Sequence, residues 1–142
     1  MNPYAISKLK SEHIGKIFAK KNNISFISLR LFSVYGPRLR PDLLMTKIAQ
    51  SLNTGTPLKI FGNGSVKRDF THVNDVVEGI ISSLNYPAGN FEIFNIGYGS
   101  PVSVTEIIRL FENISGEKIS MHFINAINGE SVTTWADKNK AT

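Results

Sequence analysis

Ile24-Ser-Phe-Ile-Ser-Leu-Arg-Leu-Phe32, followed by Val34-Tyr-Gly-Pro37, is the stretch that decides the architecture. Its first part is rich in β-formers and nearly continuous in apolar character, which predicts a buried strand lying parallel to others. Val34-Tyr-Gly-Pro37 then breaks the strand into a loop carrying Arg38, Arg40, Pro41 and Asp42. Upstream, Ile6, Leu9, Ile14, Ile17 and Phe18 recur at helical spacing between Pro3 and about Lys21. That pattern predicts an amphipathic helix with Pro3 at an early position, ended by Asn22-Asn23.

Downstream the alternation continues. A second helix is predicted over 43–52, closed by Gly55-Thr-Pro57. Leu58-Lys-Ile-Phe61 and Lys67-Arg-Asp-Phe-Thr-His72 read as short strands around Gly62-Asn-Gly64, a hairpin signal. Asp75 with Glu78, and Ser103 with Glu106, have capping-box spacing and predict helices over 76–84 and 104–114. Strands are predicted over 91–96 and 119–124, and the tail from Asn125 is polar and ambiguous. Strands alternating with helices imply an α/β fold that opens directly on a helix.

The 142 residues (15.7 kDa) suffice for one domain with a core, and 42% apolar with 19% charged residues is an ordinary globular composition. No apolar run approaches the ~18 residues of a membrane span, and the start is too polar for a secretory signal. With no Cys, disulfides, thiolate catalysis and Cys-based zinc sites are excluded, and a reducing cytoplasmic setting fits. His13 and His122 lack a carboxylate or second His at ligand spacing, so no metal site is expected.

Charge is uneven. Residues 1–72 hold 12 Lys/Arg against 3 Asp/Glu, whereas residues 73–142 hold 4 against 8. A basic half suits an anionic partner or a merely solvated face. Only Lys20-Lys21 and Lys67-Arg68 are adjacent, and arginines spread through turn-like sequence suit a compact phosphorylated ligand better than nucleic acid.

Tyr4 and Lys8 sit four apart on the first helix, so both side chains can converge on one ligand. A nearby ammonium favours the phenolate, and such a phenol can exchange a proton with a sugar hydroxyl near neutral pH. By itself Tyr-x-x-x-Lys is a frequent chance pattern, equally read as a surface helix with an aromatic near its start.

Asn2-Pro-Tyr-Ala-Ile-Ser-Lys8, Leu31-Phe-Ser-Val-Tyr-Gly-Pro-Arg38 and the run from Ile60-Phe-Gly-Asn-Gly64 through Arg68-Asp-Phe-Thr-His-Val-Asn-Asp75 occur in one order. Asn95-Ile-Gly97 and Ser103-Val-Thr-Glu106 follow. Together they resemble the extended short-chain dehydrogenase/reductase family, and most closely its NAD-dependent nucleotide-sugar epimerases and dehydratases, across nearly the whole chain. The resemblance implies the C-terminal portion of a Rossmann-type enzyme with its small α/β substrate-binding domain. The last helix and strand of the Rossmann domain would occupy about 3–36, with the dinucleotide-binding half not in this sequence.

The resemblance also implies roles. Tyr4 would be the acid/base at the sugar C4 hydroxyl, with Lys8 tuning it and holding the nicotinamide ribose of NAD. Phe32 would border the nicotinamide and Ser33 the sugar diphosphate. Phe61 would pack on the nucleobase, and Arg68 would grip the diphosphate through its guanidinium fork. Without the resemblance, Phe61 reads as core, Arg68 as a surface cation, Asp69 as a turn anchor, Asp75 as a helix cap and His72 as a hydrogen-bonded core residue.

Two departures bear on substrate. Ser33 stands where many members have Asn, and Arg40 follows in Gly-Pro-Arg-x-Arg-Pro-Asp, as in members that epimerise UDP-glucuronate. There the hydroxyl and arginine address the sugar carboxylate. Ile127-Asn-Gly-Glu130 stands where Arg-Pro-Gly-Asp/Glu is common, which removes one phosphate contact. None of the 11 glycines forms Gly-x-Gly-x-x-Gly or Gly-x-x-Gly-x-x-Gly, the turn that cradles a dinucleotide pyrophosphate.

The expected function is therefore the substrate-binding part of a UDP-glucose or UDP-glucuronate 4-epimerase, inactive alone and unable to bind NAD by itself. The alternatives are a dehydratase of the same family or a non-catalytic nucleotide-sugar binding module. The expected partner is a UDP-sugar, with no nucleic acid and no membrane. Apolar faces left exposed leave room for a homo-oligomer.

Overall fold

The computed structural model describes residues 3–87, 89–126, 129 and 131–141. Helix α1 (Pro3–Asn22) leads into β1 (Ile27–Leu31), and the strand direction continues past Phe32 as β2 (Ser33–Tyr35). The single predicted strand over 24–32 is thus two short ones, and the second occupies sequence predicted as loop. Burial differs as well. Leu31 is 47% exposed and Arg30 is exposed, because among the described residues β1 pairs along one edge, in parallel with β5 (Glu92–Ile96).

The chain then runs through α2 (Leu44–Thr54), β3 (Leu58–Phe61), β4 (Lys67–His72) and α3 (Val73–Leu84). After β5 come β6 (Pro101–Ser103), α4 (Val104–Ser115), β7 (Met121–Ile124) and β8 (Thr133–Thr134). Strands β6 and β8 were not read from the sequence. Among the described residues three sheets result: β1 with β5; β4 flanked by β2 and β6 and also paired with β8; and β3 with β7. All pairings are parallel except β4 with β6.

The predicted hairpin is contradicted. β3 pairs with β7, and β4 pairs with β2, β6 and β8. Gly62-Asn-Gly64 still turns the chain, with Asn63 Oδ1 accepting from the Ser65 amide at 3.0 Å. But Gly64, at φ 74°, lies against α4, where a Cβ would stand 2.7 Å from Thr105 Cγ2. Its carbonyl accepts from the Thr105 amide at 3.2 Å. The turn therefore seats the start of α4, and the two strands diverge into different sheets.

The main core lies between α2, α4 and β3, where Ile48, Leu58, Ile60, Ile107, Ile108 and Ile119 pack together. The capping box at Ser103 and Glu106 forms as predicted, with each residue satisfying the other's backbone amide. The capping box predicted at Asp75 does not form. His72 caps α3 instead, its Nδ1 accepting from the Asn74 amide at 3.2 Å, and Asp75 falls in the helix's first turn. His72 is thus a cap rather than a core residue, its ring edge-on to Tyr35 at 5.3 Å.

Helix α1 corrects the amphipathic reading. Its buried residues are Gly15 and Ala19, whereas Ile14, Ile17 and Phe18 are each more than half exposed. A Cβ on Gly15 would meet the Phe26 ring at 2.7 Å, so the helix approaches the sheet along its small residues. Ile6, Leu9, Ile14 and Ile17 occupy the opposite arc.

Candidate functional site

The stripe of α1 that carries Gly15 and Ala19 also carries Tyr4, Lys8 and Glu12, by the three- and four-residue spacing of a helix. Lys8 Nζ lies 5.4 Å from the centroid of the Tyr4 ring. Both residues line a cavity of about 550 Å³ with Ser11, Glu12, Arg30 and Leu31. Glu12 fixes the helix to β1: Arg30 Nε and Nη2 each donate to one of its carboxylate oxygens at 2.7 Å. This fork, with a smaller charge attraction, holds the Glu12 carboxyl below the usual carboxylate range against the opposing effect of burial. Tyr4 is 70% exposed, so its phenol is open to a ligand.

Phe32 is half-buried at the junction of β1 and β2. Its amide donates to Ile96 O at 3.3 Å, and its ring packs on the backbone of Gly97. Immediately beyond, Ser33 pairs with Phe70 of β4. Ser33 and Arg68 line a second cavity of about 390 Å³ with Tyr35, Leu43, Met45 and Phe70. Arg68 is half-buried, and its Nη1 donates to Lys67 O and Ser131 O, both at 2.8 Å.

Two sequence-predicted residues stand elsewhere. Arg40 is exposed and bonded to Asp42 Oδ2 at 2.9 Å, outside the residues lining the Ser33 cavity. Phe61, at the end of β3, is 47% exposed and lines a third cavity of about 550 Å³ with Lys47, Gln50, Thr54 and Lys59. It is not the core residue its apolar strand would suggest. Tyr4 with Lys8, and Ser33 with Arg68, are thus brought together, whereas Arg40 and Phe61 join neither pair. The segment 127–130 singled out in the sequence lies outside the described residues except for Gly129. Among the described residues no three His, Asp or Glu side chains group as a metal site, and no helix is long and apolar enough to cross a membrane.

The Glu12–Arg30 fork went unread in the sequence, although Glu12 lies one helical step beyond Lys8 and Arg30 interrupts an apolar strand. Asp69, read as a turn anchor, is fully buried and accepts from three main-chain amides. The cue available for it was a carboxylate alternating with apolar residues on a strand.

Residues 1–97 match the NAD dependent epimerase/dehydratase family. An "uncharacterized UDP-glucose epimerase" of Bacillus subtilis is 40% identical over 141 residues, covering 99% of this chain and 45% of that protein. A UDP-glucuronate 4-epimerase of Thermodesulfobacterium geofontis is 35% identical over 142 residues, covering 99% and 43%. In three dimensions the chain is similar to the UDP-glucuronic acid 4-epimerase from Bacillus cereus solved with UDP-glucuronic acid and NAD. That match has a TM-score of 0.92 and 37% identity and covers 99% of this chain and 45% of that one. The chain spans a little under half the length of these relatives.

Proposed function

The chain belongs to the NAD dependent epimerase/dehydratase family, and from that premise we propose that it forms the nucleotide-sugar side of a UDP-sugar 4-epimerase. The observation that carries this is the path of one strand direction, β1 into β2, past two cavities. One cavity holds Tyr4 and Lys8, and the other holds Ser33 and Arg68. A sugar joined to a diphosphate needs both a proton-exchanging group and a cationic fork, set a short distance apart.

In this proposal Tyr4 exchanges the proton of the C4 hydroxyl, with the Lys8 ammonium beside its ring. Arg68 holds the diphosphate, Ser33 the sugar, and Phe61 offers an exposed ring to the base. UDP-glucuronate is the favoured substrate, with Arg40 exchanging Asp42 for the sugar carboxylate.

NAD fits these residues at one end. The Lys8 ammonium would hold the ribose hydroxyls next to Tyr4 and Phe32 would border the nicotinamide, while the sequence contains no glycine turn to receive the pyrophosphate. Bound in the enzyme, NAD supplies the hydride acceptor and donor.

Calorimetric titration of UDP, UDP-glucuronate and NAD into the 142-residue protein tests the proposal. UDP and UDP-glucuronate should bind, and NAD should not. Absence of UDP binding would overturn it, and turnover of UDP-glucuronate by this chain with added NAD would contradict its assignment as one side of the site. Arg40→Ala should erase any preference for UDP-glucuronate over UDP-glucose.

A further inference from the structure

Asp69 is 0% exposed, and its oxygens are engaged by main-chain amides of two separate segments. Oδ1 accepts from Tyr98 N at 3.1 Å, and Oδ2 accepts from Gly99 N and Ala136 N, both at 2.9 Å. A buried carboxylate is tolerable only when such donors converge on it. The packing is close: a Cβ on Gly97 would lie 2.8 Å from Asp69 Oδ2 and 2.5 Å from Ala136 Cβ. Asp69 therefore joins β4, the turn after β5 and the segment that follows β8.

The stretch just before β8 holds Arg68. Successive residues of a strand point to opposite faces, so Arg68 turns toward the Ser33 cavity where Asp69 turns inward. β8 runs parallel to β4 with Lys67 opposite Thr133 and Arg68 opposite Thr134. Lys67 N donates to Val132 O at 2.9 Å, and the guanidinium donates to Ser131 O at 2.8 Å. Residues 131–136 are thus a short splint: Ser131 at one end orients the guanidinium, and Ala136 at the other is pinned by Asp69.

We propose that Asp69 is a positioning residue for Arg68, fixing the splint so that the guanidinium fork is aimed before a diphosphate arrives. This rests on the reading of Arg68 as the diphosphate-binding cation. Asp69 touches no ligand. Its effect on binding passes entirely through the splint, so it should appear only for ligands that carry the diphosphate.

Asp69→Asn is the decisive variant. It leaves one neutral acceptor oxygen for three main-chain amides, so an amide NH₂ faces at least one of them, donor to donor, and the charge that strengthened the other bonds is lost. UDP should bind about tenfold more weakly while uridine binds unchanged. In an Arg68→Ala background the substitution should cost UDP nothing further, because the two residues act as one unit. Equal losses for UDP and uridine, or additive losses in the double variant, would overturn the proposal.

If Asp69→Asn does not fold, the wild type suffices. Coupling is reciprocal, so saturating UDP should slow hydrogen exchange at the Tyr98, Gly99 and Ala136 amides, and unchanged exchange would overturn the proposal. If the wild type binds no UDP, the proposed function fails. The Arg68 Nε–H resonance then decides the role of Asp69: a shift in Asp69→Asn supports it, and an unmoved resonance overturns it.

Discussion

Helix α4 turns Ile107 and Ile108 into the core and opens on a complete capping box, whereas α1 buries only Gly15 and Ala19 and leaves Ile14, Ile17 and Phe18 facing outward. Both helices carry apolar residues at helical spacing. The difference teaches that periodicity identifies residues sharing a face, not the surface that the face meets. For α1 the sheet takes the small residues, because close approach brings Tyr4, Lys8 and Glu12 down beside β1. The apolar arc is what remains outside.

The comparison breaks most sharply at the core. Ile108→Ala should lower unfolding free energy by about 3 kcal/mol, by lost transfer energy and a residual cavity. Ile17→Ala on α1, more than half exposed, should change it by less than about 0.5 kcal/mol. Urea denaturation of the two variants checks both values, and similar losses would mean that α1 packs its apolar arc in solution.

Gly15→Val tests the opposite face of α1. Its side chain must displace the Phe26 ring, costing about 1–3 kcal/mol and moving Tyr4 and Lys8 with the helix. Chemical denaturation gives the cost, and uridine and UDP titrations show whether the second cavity is spared. Ser103→Ala removes the α4 cap and should cost about 1 kcal/mol, read in the same denaturation series.

The smallest effect is expected at Glu12. Its carboxyl is held low by the Arg30 fork, so the pair contributes fully above the ordinary glutamate value and is lost as pH falls through the lowered one. Arg30 is 45% exposed, which limits the contribution to about 0.5–1 kcal/mol. Relative to Glu12→Gln, the wild type should therefore lose its advantage as pH falls below the ordinary glutamate value of about 4.3. Parallel stability–pH curves for the two proteins would remove the fork from the account.

The sequence made legible what is decided within a few residues. Ser103 and Glu106 satisfy one another across a single helical turn, and Tyr4 and Lys8 meet by helix geometry alone. The hairpin failed because Gly62-Asn-Gly64 signals a turn but cannot say which strand follows alongside; Thr105 and β7 decide that from far along the chain. His72 was misread since an imidazole nitrogen caps a helix less often than a carboxylate, and Asp75 offered the more familiar spacing. The meeting of Ser33 and Arg68 in one cavity depends on the parallel register of β2 with β4, which no local pattern encodes.

Phe32 separates two strands that run on in one direction yet belong to different sheets, and its amide is bound to Ile96. No flexible linker stands between the cavity of Tyr4 and that of Ser33, so swinging one against the other would twist this peptide and break that bond. A sugar spanning both would meet groups whose mutual orientation is set when the chain folds, not when the ligand lands. The orientational entropy that loose recognition loses at binding is, at this junction, already lost in folding.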